Sequence, residues 1–222
     1  VRAAAVEAYG RLGNYIDGSE IIKKCASDMD GSVRAKFCQA VAEMEATDLH
    51  SSVSALLDDA VPEVQCAAIE ALGYLITASQ EMQSIYSDKV SDYLTKMLAS
   101  PSTKTAALDT IALMGDQAPT SCTSAVVAAI GDSDIFTRGA AVAAFSALSD
   151  SAMASKDGFA KLKDLLGSQE AGIRAAAACA MATMGDKAES NAEAVTKLLD
   201  DKEEDTSGNA FVMGGGGRRP PP

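Results

Sequence analysis

The chain has no tryptophan and one histidine, and only three of its six prolines lie ahead of the terminal Pro220–Pro222 run. Aromatic residues make up 5% of the 222 residues although 47% are hydrophobic. Any core must therefore be built from Ala, Leu, Val, Ile and Met, a composition suited to closely packed helices. With His50 alone, no His-based metal cluster can be assembled within the chain. A Ser-His-Asp or Cys-His triad would also have to pass through it. His50 stands beside Ser51 and Ser52 at the start of a predicted helix, where a solvated histidine is expected. There is no G-x-x-x-x-G-K to cradle a phosphate. Catalytic, metal and cofactor-binding residues are thus expected to be absent, and the chain is expected not to be an enzyme.

The five cysteines, Cys25, Cys38, Cys66, Cys122 and Cys179, form no C-x-x-C pair and are odd in number. They are expected as small buried hydrophobes in a reducing compartment rather than as a disulfide framework. No apolar run reaches the roughly 18 residues of a membrane span, and no signal-peptide core opens the sequence. A soluble intracellular protein without direct membrane insertion is expected, with cytoplasm and organelle both open. Basic charge is scarce as well: 19 Lys and Arg against 31 Asp and Glu leave a net charge of −12. Phosphate binding needs clustered cations, so nucleic acid is not the expected partner. A basic or neutral protein surface is.

What the chain has in abundance is itself. The segments "VRAAAVEAYGRLG" (1–13), "VRAKFCQAVAEME" (33–45), "VQCAAIEALGYLI" (64–76), "TKTAALDTIALMG" (103–115), "TRGAAVAAFSALS" (137–149) and "IRAAAACAMATMG" (173–185) share one pattern. A β-branched residue leads, a long polar one follows, and small apolar residues fall three, six and seven places after the leader. The second positions, Arg2, Arg34, Gln65, Lys104, Arg138 and Arg174, are spaced 32, 31, 39, 34 and 36 apart. Such self-similarity marks a repeat architecture. Each copy reads as an amphipathic helix. Between copies lies a second pattern of helical period, such as Leu49, Val53, Leu56 and Leu57, or Cys122, Val126 and Ile130. Each unit is then two antiparallel helices that cannot bury their apolar faces alone, so stacking is obligatory.

The predicted fold is an all-α solenoid of about six two-helix units over 1–205, followed by a flexible Gly/Arg/Pro-rich tail at 206–222 that ends in "GGGGRRPPP". Pro62, Pro101 and Pro119 stand near predicted helix starts. Gly13, Gly115 and Gly185 are expected to close inner helices in a left-handed conformation. The insertion "TASQEMQSIYSDKVSDY" in the third unit predicts a longer outer helix or an extra turn. Val1 lies inside a helix pattern, so missing upstream sequence, or a partner over Val1, Val6 and Tyr9, is expected. The acidic run "DDKEED" (200–205) reads as a solvated end able to meet a basic partner.

The stretches "DMDGSVRAKFCQAV" (28–41), "DSDIFTRGAAVAAF" (132–145) and, more loosely, "DAVPEVQCAAIEAL" (59–72) resemble the HEAT repeat in the short form also found in phycobilin lyases. The resemblance covers roughly residues 1–200. It implies a ladder in which the acid before each inner helix pairs with the Arg of a neighbouring unit, here Arg2, Asp30, Arg34, Asp134, Arg138 and Arg174. Asp30 and Asp134 are also suited to capping helix N-termini. "DMDG" opens like a calcium loop but lacks the later ligands, so calcium is not expected. The His-Glu motifs of iron hydroxylases built on such repeats are absent.

Inner helices of a solenoid line its concave side. Five places past the Arg-equivalent position fall Glu7, Gln39, Glu70, Asp109, Ala143 and Cys179; nine places past fall Arg11, Glu43, Tyr74, Leu113, Ala147 and Thr183. The predicted groove is hydrophilic near the N-terminal units and apolar near the fifth and sixth. Its partner-binding candidates are Glu7, Arg11, Gln39, Glu70, Tyr74, Asp109, Ala143, Ala147, Cys179 and Thr183. Glu7, Glu70 and Asp109 would attract basic residues of a partner segment. The expected role is a non-catalytic interaction scaffold or assembly subunit that binds other proteins within a larger complex. The alternative implied by the resemblance is a bilin lyase-like pigment-assembly factor.

Overall fold

A computed structural model describes residues 1–13, 19–148 and 156–203; among them there are helices and turns but no strand. In chain order the α-helices are α1 (Arg2–Leu12), α2 (Ser19–Lys23), α3 (Gly31–Glu43), α4 (His50–Ala55), α5 (Pro62–Ala78) and α6 (Gln80–Leu98). Then follow α7 (Lys104–Met114), α8 (Thr123–Ile130), α9 (Ile135–Ala147), α10 (Lys156–Leu165), α11 (Ala171–Ala182) and α12 (Ala192–Lys197). Odd-numbered helices stack on one another in sequence, α1 on α3, α3 on α5 and so on to α9 on α11. Even-numbered helices form the second layer, with α6 against α8 and α8 against α10. The architecture is an all-α solenoid.

One continuous apolar cluster runs between the layers, from Val6 through Phe37, Leu49, Leu72, Leu94, Ile111, Val126 and Phe145 to Met181. Because each layer contributes a single stripe, no helix pair completes a core without its neighbours. Close approach replaces aromatic bulk: at Gly10 of α1 an added Cβ would lie 2.8 Å from the Cα of Ala40 in α3. Of the leading glycines, Gly115 (φ 59°) and Gly185 (φ 55°) are left-handed as expected. Gly13 is not. It stays right-handed (φ −51°, ψ −34°) and is required for space, since a Cβ there would meet Cγ of Met44 at 2.2 Å.

The inserted residues of the third unit lengthen both of its helices, to 17 residues in α5 and 19 in α6, joined at Ser79, which caps α6. The lengthened α6 buries Met82 and Tyr86. Tyr86 corrects the reading of His50: the imidazole is half-buried, with Nδ1 2.5 Å from the Tyr86 hydroxyl and the rings edge-on. A side chain 36 residues away in sequence supplied the partner. Val6 is buried and Tyr9 half-buried, so of the face expected to need a cover only Val1 is exposed. The tail at 206–222 and the end of the acidic run lie outside the described residues.

Candidate functional site

The inter-repeat ladder exists, but its acids sit two residues earlier than Asp30 and Asp134. Arg2 grips Asp28 with two hydrogen bonds (2.8 and 3.0 Å), and Arg34 grips Asp59 (2.7 and 2.8 Å). Lys104 reaches Asp132 at 2.7 Å, and Arg174 reaches Asp201 at 2.7 Å and Glu203 at 2.9 Å. Each of these aspartates also accepts the backbone N–H two residues on: that of Asp30, Val61, Asp134 and Glu203. This turn leaves one carboxylate edge aimed at the preceding unit.

Asp30 and Asp134 are caps instead, accepting from Ser32 N at 2.9 Å and from Thr137 N at 2.7 Å. With their oxygens facing the helix start, they do not pair with arginine. Arg138 is a second departure: its Nη1 donates to the carbonyls of Asp132 and Ser133, and no carboxylate meets it among the described residues. Gln65 breaks the ladder too, donating to the Asp59 carbonyl.

The Arg2 guanidinium, with the Asp30 N–H, holds Asp28 below the ordinary carboxylate range. Arg34 does the same for Asp59, and Arg174 for Asp201. At Asp132 burial pushes upward, but the Lys104 bond and the Asp134 N–H outweigh it and the net shift is downward.

On the stacked face of the odd-numbered helices, none of the ten partner-binding candidates is buried. Five of them, Glu7, Arg11, Gln39, Glu70 and Tyr74, line one cavity of about 750 Å³ spanning α1, α3 and α5. Lys36, Ala42, Glu43, Ala67 and Ala71 complete its wall. A second cavity of about 350 Å³ shares Gln39, Ala67 and Glu70 and continues past Ala35, Cys66 and Glu63 to Ser102 before α7. The two form an elongated groove across the stack. Asp109, Ala143, Ala147, Cys179 and Thr183 lie on later helices and do not line it.

Lys36 and Glu63 are missing from the sequence-based set because counting five and nine places samples only one stripe of a helix about two stripes wide. The charges differ from expectation as well. Glu7 is already paired, with Lys36 at 2.9 Å and Arg11 at 2.6 Å. Lys36 first and Arg11 second hold its carboxyl below the usual range. Asp109 is exposed, has no ion-pair partner among the described residues, and its carboxyl is raised by partial desolvation. Cys179 is exposed rather than a buried hydrophobe, while Cys38 and Cys122 are buried, and all five thiols are free.

The two-layer helical stack recurs in known proteins. The family model for HEAT repeats matches residues 18–112. Over that stretch the chain is similar to HEAT repeats. No curated protein matches it in sequence. Among solved structures, an engineered protein superposes with a TM-score of 0.60 at 18% identity, over 90% of this chain and 96% of that one. Kap121p matches with a TM-score of 0.69 at 14% identity; 96% of this chain is covered but only 24% of Kap121p. A designed armadillo repeat protein in complex with peptide (KR)4 matches with a TM-score of 0.59 at 16% identity, over 82% of this chain and 91% of that one. At these identities the likeness is one of fold. Among the described residues no helix is long and apolar enough to cross a membrane, and no group of three His, Cys, Asp or Glu side chains could hold a metal ion.

Proposed function

We propose that this chain is a non-catalytic scaffold whose HEAT repeats hold an extended segment of a partner protein along the stacked face of the odd-numbered helices. The observation that carries the reading is the elongated groove over α1, α3 and α5, which draws its walls from successive units and therefore exists only in the stack. Its shape suits a chain lying across the helices more than a compact small molecule. Glu43, Glu63 and Glu70 on its walls, the exposed Asp109 beyond it and the net charge of −12 favour a segment rich in Lys and Arg. The designed armadillo relative bound to peptide (KR)4 supports the same chemistry. Ala143, Ala147, Cys179 and Thr183 would carry the partner onto the apolar end.

The test is fluorescence anisotropy with a labelled peptide of alternating Lys and Arg. We expect saturable binding that weakens with salt, and at least tenfold weaker binding for the Glu63→Lys/Glu70→Lys double variant at an unchanged unfolding midpoint. Binding that is indifferent to both changes sinks the groove reading.

A further inference from the structure

The ladder has a vacant place. Arg138 is only 4% exposed, and its Nε, buried within the stack, has no hydrogen-bond partner among the described residues. In Arg2, Arg34 and Arg174 that same atom donates to an aspartate of the following unit. For Arg138 the following unit offers Ser168. Ser168 occupies the ladder position by register, six residues before Arg174, as Asp28 precedes Arg34 and Asp132 precedes Arg138. It also makes the ladder aspartate's own turn: its Oγ accepts the N–H of Glu170, two residues on, at 3.2 Å. Helices α9 and α11 are packed together, so the two units are in place. A hydroxyl thus stands where four other copies place an anion, opposite an arginine with a buried, unused donor.

We propose that Ser168 is a phosphorylation site, and that its phosphate supplies the oxyanion Arg138 lacks. Burial of Nε argues against a freely diffusing anion, because solvent does not reach that atom. An anion attached to the facing residue avoids this, and phosphoserine carries its terminal oxygens one bond further from the backbone than aspartate does. Ser168 lies in the turn between α10 and α11, half-exposed, with Gly167, Gln169 and Glu170 exposed around it, so a protein kinase can reach it. In that step Oγ attacks the γ-phosphorus of a nucleoside triphosphate. The new P–O bond replaces the bond to the bridging oxygen, the nucleoside diphosphate leaves with that electron pair, and the hydroxyl proton passes to the kinase's base. The dianion then accepts charge-assisted bonds from the guanidinium and ties α11 to α9. The C-terminal units, where Ala143 and Cys179 lie, would be stiffened on demand.

The experiment uses the whole chain with phosphoserine incorporated at position 168. By phosphorus NMR, the second ionisation, normally near pH 6, should fall by about half a unit or more in the folded protein relative to the same chain in urea. Independently, Ser168→Asp should raise Tm by about 3 °C, and Arg138→Gln should abolish that gain. A phosphate that titrates alike folded and unfolded, or a Ser168→Asp gain that survives loss of Arg138, overturns the vacant rung. Absence of phosphate from the tryptic peptide 164–174 in protein from its native cells overturns the modification.

Discussion

Arg34 holds Asp59 across 25 residues of chain through two parallel bonds, Nε to Oδ2 at 2.7 Å and Nη2 to Oδ1 at 2.8 Å. It also donates Nη1 to the Asp28 carbonyl of its own turn. One guanidinium thereby locks the start of its own inner helix to the start of the next. Its side chain is 14% exposed and that of Asp59 9%, against 66% for Arg2 in the parallel rung to Asp28. Solvent screening should separate them. Arg34→Met is expected to lower the urea midpoint clearly and Arg2→Met much less; equal effects would show that burial does not set the strength of a rung.

The ladder also predicts an acid limb. Asp28, Asp59, Asp132 and Asp201 all have folded-state values below the unfolded one of about 3.9. A depressed acid stabilises the fold above its unfolded value and loses that contribution as pH falls through the folded value. Stability should therefore be level in this respect above about pH 5 and drop below about pH 4. Arg34→Met should flatten part of that drop, as measured by urea titrations at stepped pH. A drop of unchanged size in the variant argues against Asp59 as a contributor.

Packing gives two contrasting glycine predictions. At Gly10 an added methyl meets backbone of Ala40 at 2.8 Å, and α1 and α3 must move apart. At Gly13 the nominal clash is closer, 2.2 Å, but falls on the flexible side chain of Met44. Gly10→Ala should cost about 1–3 kcal/mol and Gly13→Ala less, the reverse of the order in distance. Denaturant melts of the two variants decide it.

Tyr86 and His50 connect the second layer, and the hydroxyl is the only part that Phe lacks. Tyr86→Phe should cost about 1 kcal/mol. On a His50→Ala background the same change should cost close to nothing, because the bond is already gone. Full additivity in that cycle would mean the contact carries no energy.

Thiol labelling reads burial along the stack directly. Burial pushes the Cys38 thiol up to about 12, whereas Cys179 is exposed. Maleimide followed by peptide mapping should modify Cys179 first and leave Cys38 untouched in the folded chain. Early loss of Cys38 would mean that α3 opens locally.

Much of this was legible in the order of residues. The leader-plus-Arg pattern marks α3, α5, α7, α9 and α11 within a few residues, since a helix must show its apolar stripe at a period of 3.6 whatever surrounds it. Asp30 and Asp134 read correctly as caps because capping is local, completed within two or three residues. The ladder acids were misplaced by two residues because both aspartates of D-x-D can bond an arginine. Which one turns outward depends on where the preceding unit sits.

The groove divides in the same way. The face was predictable from helical counting, and Glu7, Arg11, Gln39, Glu70 and Tyr74 do meet there. Its charge was not, because Lys36 neutralises Glu7 from a neighbouring helix. His50 went from solvated to hydrogen-bonded by the arrival of Tyr86, and Gly13 from a turn residue to a space requirement by the arrival of Met44. Composition and period alone determined the all-α repeat, the two layers and the caps, because these are decided by neighbours three or four residues apart. Pairing, vacancy and exposure at Asp28, Arg138 and Cys179 were decided only by stacking, which sets side chains about 30 residues apart against one another and so chooses which charges are matched.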